Sequence, residues 1–306
     1  MVHVDNFSFG VLNPALAYVM SCVGCFLGLR CAARGYAGQG RARTQWLILA
    51  TVAIATTGIW VMHFIAMLGF SIPGQVISYS VPVTILSMLI ALIVVGVGLF
   101  IAGLRGKGGW PLMLGGLVVG FGVASMHYLG MAAIRTPDTL RYNPELVALS
   151  VVIAVIAGTA ALWAALRLES AWSALAASMI MGVAVSGMHY TGMAALRVYP
   201  GPGQAGDVQG GVGAVSFLMP LIVGISSVAF ILTIVISLAP TAAEMIDEAS
   251  LMARIGRPLP EGAHPRPDRR HRQDDTSPEQ EGAPEPGSLF RPHRPGRTPE
   301  QKGPWG

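Results

Sequence analysis

The sequence contains few charged residues for its length. Of its 306 residues, 12% are charged and 53% are apolar, and the mean hydropathy is +0.57. Soluble domains carry about 25% charged residues, so this composition argues against a soluble enzyme. Residues 1–239 hold only 10 of the 20 Lys and Arg and 5 of the 16 Asp and Glu. The first three-quarters of the chain is therefore predicted to be a membrane domain, and the polar residues are concentrated in the last 67 positions.

Seven apolar stretches are long enough to cross a bilayer, which takes about 20 mostly apolar residues. We predict spans at 12–33, 46–68, 81–103, 111–134, 146–166, 173–196 and 215–239. The predicted fold class is an all-α membrane protein with seven transmembrane helices in residues 1–240. The lipid bilayer is therefore its first predicted partner.

Basic residues fall mainly in alternate loops, and this pattern predicts the orientation of the chain. The loops on one side hold only Arg135, Arg141 and Arg197. The basic residues that follow the first, third and fifth spans are Arg30, Arg34, Arg41, Arg43, Arg105, Lys107 and Arg167. Since cytoplasmic loops carry the excess of Lys and Arg, the N-terminus is predicted outside and the C-terminus in the cytoplasm. The same rule explains the net charge of +4 without nucleic acid as a partner.

Cysteine is scarce, and no cationic region precedes the first span. Cys22, Cys25 and Cys31 all lie in that span, so no disulfide is expected in an outer loop. Their expected role is that of small buried side chains, with a soft-metal role as the weaker alternative. Because the first basic residue is Arg30, a cleaved signal peptide is not expected.

Three of the spans contain one recurring motif. Residues 120–135 (GFGVASMHYLGMAAIR) match residues 182–197 (GVAVSGMHYTGMAALR) at an offset of 62, and residues 56–69 (TTGIWVMHFIAMLG) are a weaker copy. The copies lie in the second, fourth and sixth spans, which run in the same direction. Their histidines therefore lie at one depth, about 8–10 Å below the outer boundary. The membrane domain is predicted to consist of three two-helix repeats plus a closing seventh helix.

The histidines of this motif are candidate metal ligands. An ionisable side chain inside a membrane span is costly and is a functional candidate for that reason. A methionine follows each histidine four residues later on the same helix face, and another directly precedes it, about 100° round the helix. The predicted metal ligands are His63, His127, His189, Met62, Met67, Met126, Met131, Met188 and Met193.

Imidazole and thioether donors favour copper, Cu(I) in particular, over Mg²⁺ or Ca²⁺, which bind oxygen. Zinc more usually takes Cys, His or carboxylate, and the three motif spans contain no Asp or Glu. Haem is a less favoured cofactor, because two axial donors leave a three-fold repeat unexplained. The alternative to any metal is packing, in which each histidine hydrogen-bonds a neighbour such as Tyr128 or Tyr190 and methionine fills space.

The sequence Met188-His189-Tyr190-Thr191 is the motif that names the bacterial MHYT family, and residues 5–240 resemble that family. The fourth motif position varies among the three copies, so Thr191 is not assigned as a ligand. The resemblance implies an integral sensor of the inner membrane, proposed to hold copper between the motif helices and to detect O2, CO or NO. The resemblance implies that His63, His127 and His189 are ligands of this metal, together with the six methionines already named.

The end of the sequence has a different composition. Residues 241–256 are predicted to form a short juxtamembrane helix. Residues 257–306 contain 11 prolines and almost no large apolar residues, which predicts a disordered cytoplasmic tail. His264, His271 and His293 lie in this tail, and we interpret them as part of a solvated linker, not as metal ligands. No phosphate loop, nucleophile elbow or cyclase signature occurs in the sequence, so no enzyme activity is expected.

These observations lead to one function hypothesis and several alternatives. The hypothesis is a membrane sensor that signals through a cytoplasmic partner contacted by the tail. A copper or small-solute transporter is the main alternative, which requires a polar path through the bundle; only Thr56, Thr57 and Ser178 extend inward from the motif. A haem-binding electron carrier and a membrane scaffold without a ligand are the remaining possibilities.

Overall fold

The computed structural model describes residues 4–104, 109–168, 170–201 and 211–238. Within these ranges, seven helices are long and apolar enough to cross a membrane: α1 (Leu12–Ala37), α2 (Gly40–Leu68), α3 (Val81–Leu104), α4 (Gly109–Ala132), α5 (Pro144–Arg167), α6 (Ala171–Ala195) and α7 (Ala214–Leu238). The predicted fold class is confirmed, and the chain is a multi-pass membrane protein. The predicted juxtamembrane helix, the tail and its three histidines lie outside the described residues.

The helices α1 and α2 extend beyond their apolar stretches, to Ala37 and from Gly40. Hydropathy ends where the arginines begin, but the helical backbone continues because an arginine stem can cover apolar surface while its guanidinium stays near water. The guanidinium of Arg34 lies 5.0 Å from the ring centroid of Trp46, and Arg43 donates a hydrogen bond to the carbonyl of Gly103. The tight turn between the two helices uses Gly40 at φ 56°, a conformation that glycine adopts without a Cβ clash.

Helix α2 contains a π-helical stretch, Ala53–Val61, in which every residue is buried. Its widened turn comes directly before Met62 and His63, and a π-helical stretch inside a helix is often found at functional sites. The apolar periodicity of the sequence did not predict it. Midway along this stretch Gly58 packs against the backbone of α1 at Gly24, where a Cβ on Gly24 would overlap α2.

The first six helices pack as sequential neighbours, and α1 also packs against α6. Helix α7 contacts α1 and α2. The motif helices α2, α4 and α6 run in one direction, and their last turns meet in the interior. Since each has a partner on several sides, their facing surfaces are sealed from lipid.

Short strands close the end of the bundle at which α2, α4 and α6 finish. They are β1 (Ser78–Tyr79), β2 (Ile134–Arg135), β3 (Thr139–Tyr142), β4 (Leu196–Tyr199) and β5 (Val212–Gly213). One antiparallel sheet has the order β2-β1-β5, with Ser78 paired with both Arg135 and Gly213. The other pairs β3 with β4, with Leu140 opposite Val198. We call these five strands the strand cap; they tie together the three connections that follow the motif helices.

Candidate metal centre

The three motif histidines meet in the interior of the bundle. His63 lies on α2, His127 on α4 and His189 on α6, and each side chain is at most 1% exposed. They precede the last residue of their helices by five, five and six positions. At a rise of about 1.5 Å per residue this places all three about 8–9 Å below the strand cap. The structure therefore brings together the three residues that the repeat predicted to share one depth.

The Nδ1 atoms of the three rings form a small triangle. Nδ1 of His63 lies 3.0 Å from Nδ1 of His189 and 3.2 Å from Nδ1 of His127, and the third side measures 3.3 Å. The centre of such a triangle is about 1.8 Å from each corner, close to the Zn–N bond length of about 2.0–2.1 Å. Among the described residues, these three are the group of His, Cys, Asp or Glu side chains that could hold a metal ion, because their ligand atoms all lie within 4.8 Å of one another. The geometry fits a single metal ion.

Hydrogen bonding among the three rings cannot satisfy all of them. Each Nδ1 atom either carries a proton and donates or has a lone pair and accepts. In a ring of three such atoms donors and acceptors cannot alternate, so at least one pair brings two like groups together. Because the rings are buried, water does not relieve this conflict. A cation in the centre would relieve it, since all three nitrogens then present lone pairs.

The outer nitrogens of two rings lie against glycine backbone. A Cβ on Gly130 of α4 would overlap Nε2 of His63, and a Cβ on Gly192 of α6 would overlap Nε2 of His127. Neither Nε2 atom has a hydrogen-bond partner among the described residues. Each of these two rings thus packs edge-on against the next motif helix. Because glycine has no side chain, the ring fits there with its Nδ1 atom toward the centre of the triangle.

The layer nearest the strand cap contains methionine. Met67, Met131 and Met193 lie one turn beyond His63, His127 and His189 on the same helix faces. These three and the preceding methionines are all at most 3% exposed: Met62, Met67, Met126, Met131, Met188 and Met193. All six predicted methionine ligands are therefore buried near the histidine triangle, and their role as ligands stays a prediction.

Aromatic pairs connect the cluster to its surroundings. The residue after each histidine packs on a ring from outside the motif helices. The pairs, with centroid distances, are Phe64 with Tyr79 (5.9 Å), Tyr128 with Tyr142 (5.7 Å) and Tyr190 with Phe7 (5.5 Å). Burial raises the pKa of Tyr79, and it raises the pKa of Tyr142 to about 12. Both phenols in the strand cap therefore stay protonated at neutral pH.

The packing alternative names tyrosine as an example of a hydrogen-bonding neighbour for each histidine, and no histidine–tyrosine hydrogen bond occurs among the described residues. The hydroxyl of Tyr128 is 2.7 Å from Oγ of Ser150, and the hydroxyl of Tyr190 has no partner among the described residues. The histidines contact one another instead. The three cysteines of α1 are free thiols and are not part of the histidine group.

Glycines in membrane helices ordinarily permit close helix packing, and the sequence marks no other role for Gly130 and Gly192. The structure adds that each one accommodates a histidine from the neighbouring helix. The only sequence signal is that both occupy the same motif position, three residues after a histidine; the first copy has Ala66 there. That signal becomes specific only when the histidine of the adjacent helix is known to face it.

Comparison with known proteins agrees with this repeat. The model of the MHYT family, a bacterial signalling protein N-terminal repeat, matches residues 57–116, 120–178 and 182–246, more than half of the chain. Each matched range contains one histidine of the triangle. The resemblance to the MHYT family and the three-fold repeat are thereby confirmed.

Several curated bacterial proteins are similar over the same region. The bifunctional diguanylate cyclase/cyclic di-GMP phosphodiesterase MucR of Pseudomonas aeruginosa is 38% identical over 198 residues, 62% of this chain and 28% of that protein. The cyclic di-GMP phosphodiesterase NbdA of the same organism is 37% identical over 200 residues, 63% of this chain and 25% of that protein. The signalling protein YkoW of Bacillus subtilis is 30% identical over 206 residues, with the same two shares. The match covers about a quarter of each relative. No solved structure matches the chain.

Proposed function

Because the chain belongs to the MHYT family of bacterial signalling proteins, we propose that it is a membrane sensor that holds copper between α2, α4 and α6 and detects a diatomic gas. The observation that carries this proposal is the convergence of three Nδ1 atoms at 3.0–3.3 Å inside the bundle. His63, His127 and His189 hold the ion in this proposal. When bound, copper supplies a soft centre to which O2, CO or NO can coordinate.

The donor chemistry supports copper over other metals. The site has three imidazoles and a layer of buried thioethers on the same helix faces, with no carboxylate in the described parts of the motif helices. Such a donor set matches the preference of Cu(I), whereas structural zinc sites are richer in thiolate. Haem fits less well, because the three Nδ1 atoms are too close together for a macrocycle to lie between them.

The interior supports a sensor over a transporter. Thr56, Thr57 and Ser178 are the polar side chains that extend inward from the motif, and the hydroxyls of Thr56 and Ser178 are bonded within their own helices. Each of these two hydroxyls donates its hydrogen to a carbonyl of its own helix, at 2.7 Å to Val52 and 2.7 Å to Leu175. So few hydroxyls offer a passing ion few ligands along the bundle, and the transporter remains the second candidate.

We propose that the sensor lies in the inner membrane, with its N-terminus outside and its C-terminus in the cytoplasm, as the basic loops indicate. The matched relatives include cyclic di-GMP enzymes of which this region is about a quarter. By analogy, the sensor region acts on a cytoplasmic signalling partner. Residues 1–240 form the sensor domain in this proposal, with the juxtamembrane helix and tail as the contact to the partner.

Anaerobic titration of the purified full chain with Cu(I) tests the metal site. We expect saturable binding of one ion per chain and no Soret band in the optical spectrum. Binding of fewer than one ion per several chains, in protein that is folded by circular dichroism, contradicts the copper proposal. A Soret band with stoichiometric haem supports the electron-carrier alternative instead.

A pair of triple substitutions tests the thioether layer. Replacing Met67, Met131 and Met193 with leucine is expected to weaken Cu(I) binding about tenfold, equivalent to about 1.4 kcal/mol, and to leave Zn²⁺ binding unchanged. Leucine conserves the volume of methionine, so packing is little affected. Competition titrations with both metals measure the two affinities.

The matched control replaces the methionines that precede each histidine, Met62, Met126 and Met188, with leucine. The sequence groups these three with the candidate ligands, but they lie about 100° away from the histidine face, so we expect Cu(I) affinity close to that of the wild type. An equal loss in both triple variants, or a parallel loss of Zn²⁺ affinity, contradicts a specific ligand role for the methionine layer nearest the strand cap.

A further inference from the structure

A small cavity lies in the bundle on the side of the histidine triangle that faces away from the strand cap. Its volume is about 30 Å³. Ile59, Val123 and Val185 line it, together with Cys25 and Met188. Every group in this set is apolar or a thiol, so the cavity presents no strong hydrogen-bonding group to an occupant.

The position of the cavity follows from the three-fold repeat. Ile59, Val123 and Val185 each precede a motif histidine by four residues, and they therefore lie one turn below His63, His127 and His189 on the same helix faces. Met188 also lines the cavity and is the direct neighbour of His189. The cavity is thus adjacent to the layer of imidazoles, at the centre where α2, α4 and α6 meet.

Size and lining together select the occupant. A cavity needs about 10–15 Å³ by the same measure to hold a water molecule, so this one has room for a small molecule of two or three atoms. A buried water needs two to four polar partners, and these walls do not supply them. An apolar diatomic molecule makes dispersion contacts with such walls and loses no hydrogen bonds on entering.

We propose that this cavity is a docking site for a diatomic gas, from which the gas reaches the metal at the histidine triangle. The inference rests on the proposed sensor function for the last step, but occupation of the cavity itself does not require a metal. The cavity selects its ligand by size and by the absence of polarity, whereas the metal that the histidines would hold selects it by coordination.

The lipid-facing side supplies a route of entry. The wall formed by α5 consists of small residues, Ala154, Ala157, Gly158 and Ala161, of which Ala157 and Ala161 are half-buried. An apolar gas is more soluble in hydrocarbon than in water, so its local concentration is higher at this wall than in the aqueous phase. Entry from the bilayer through α5 therefore avoids the strand cap entirely.

Xenon is the probe for this cavity, because it is apolar and its position is visible by anomalous diffraction. Crystals of the metal-free full chain are pressurised with xenon, for the wild type and for Val185→Ile, which adds one methylene to the cavity wall. The control is Val183→Ile on the same helix, at a position that is 62% exposed toward lipid. A second filling variant, Val123→Ile on α4, covers the case in which the first does not fold.

We expect xenon in the cavity of the wild type and of Val183→Ile, and loss of that peak in Val185→Ile and Val123→Ile. An empty cavity in the wild type under pressure, or xenon retained in both filling variants, overturns the docking site. Xenon binding together with a failed Cu(I) titration rejects the metal centre and still supports the docking site. Copper binding without xenon rejects the docking site alone.

Discussion

Replacing His127 and His189 together with alanine is expected to abolish stoichiometric copper binding. Both contribute an Nδ1 atom to a triangle with sides of 3.0–3.3 Å, and the double variant retains one imidazole of the three. No other His, Cys, Asp or Glu among the described residues lies close enough to replace the two lost ligands. We expect a loss of at least about 100-fold in affinity, about 2.7 kcal/mol, measured by anaerobic competition with a Cu(I) chelator.

The matched control is Ser178→Ala. Ser178 is fully buried on α6 like His189, but its hydroxyl donates only to the carbonyl of Leu175 on its own helix. This variant is expected to bind as much copper as the wild type. Equal copper content in the double histidine variant and the wild type would falsify the proposed site, provided that both proteins elute as folded species in size-exclusion chromatography.

Adding one methyl group behind a histidine is expected to disrupt the cluster almost as strongly. In Gly130→Ala or Gly192→Ala the new Cβ overlaps Nε2 of His63 or His127, and these rings are at most 1% exposed. A ring so enclosed cannot rotate into free space, so the clash must displace its Nδ1 atom from the triangle. Overpacking of this kind costs about 1–3 kcal/mol, which exceeds the gain of about 1 kcal/mol expected for Gly→Ala in a helix.

The readouts are thermal stability of the metal-free protein and Cu(I) affinity, and both are expected to fall. Gly187→Ala is the control, because it lies on α6 within the same motif copy and a Cβ there meets no atom within 4 Å. We expect this control to match or exceed the stability of the wild type. If Gly192→Ala and Gly187→Ala behave alike, Gly192 has no special role in positioning His127.

The composition and the repeat predicted most of the features that position the histidine site. The apolar stretches predicted seven spanning helices because their length exceeds the thickness of the bilayer core, whatever their packing. The offset of 62 between His127 and His189 predicted a common depth, since a repeat places equivalent residues at equivalent heights. Because almost nothing else in these spans ionises, the same pattern also singled out the three histidines as candidate ligands.

The direction in which the histidines point could not be predicted from hydropathy. In a soluble helix an apolar stripe marks the buried face, but here the core and the lipid are both apolar. Residues at neighbouring positions of α6 illustrate this, because Val183 is 62% exposed to lipid and Val185 is 7% exposed in the interior. The two side chains are chemically identical, and only packing against the other helices distinguishes them.

Sequence alone thus determined the membrane class, the number of spans, the three-fold repeat and the shared depth of His63, His127 and His189, because these depend on length, composition and periodicity along one chain. The tertiary structure decided that their Nδ1 atoms meet, that Gly130 and Gly192 accommodate the rings, and that an apolar cavity lies beside them. It also decided the strand cap, whose strands of two or four residues are too short to leave a periodic signal. All of these features arise from contacts between different helices and strands, far apart along the chain, which no local pattern encodes.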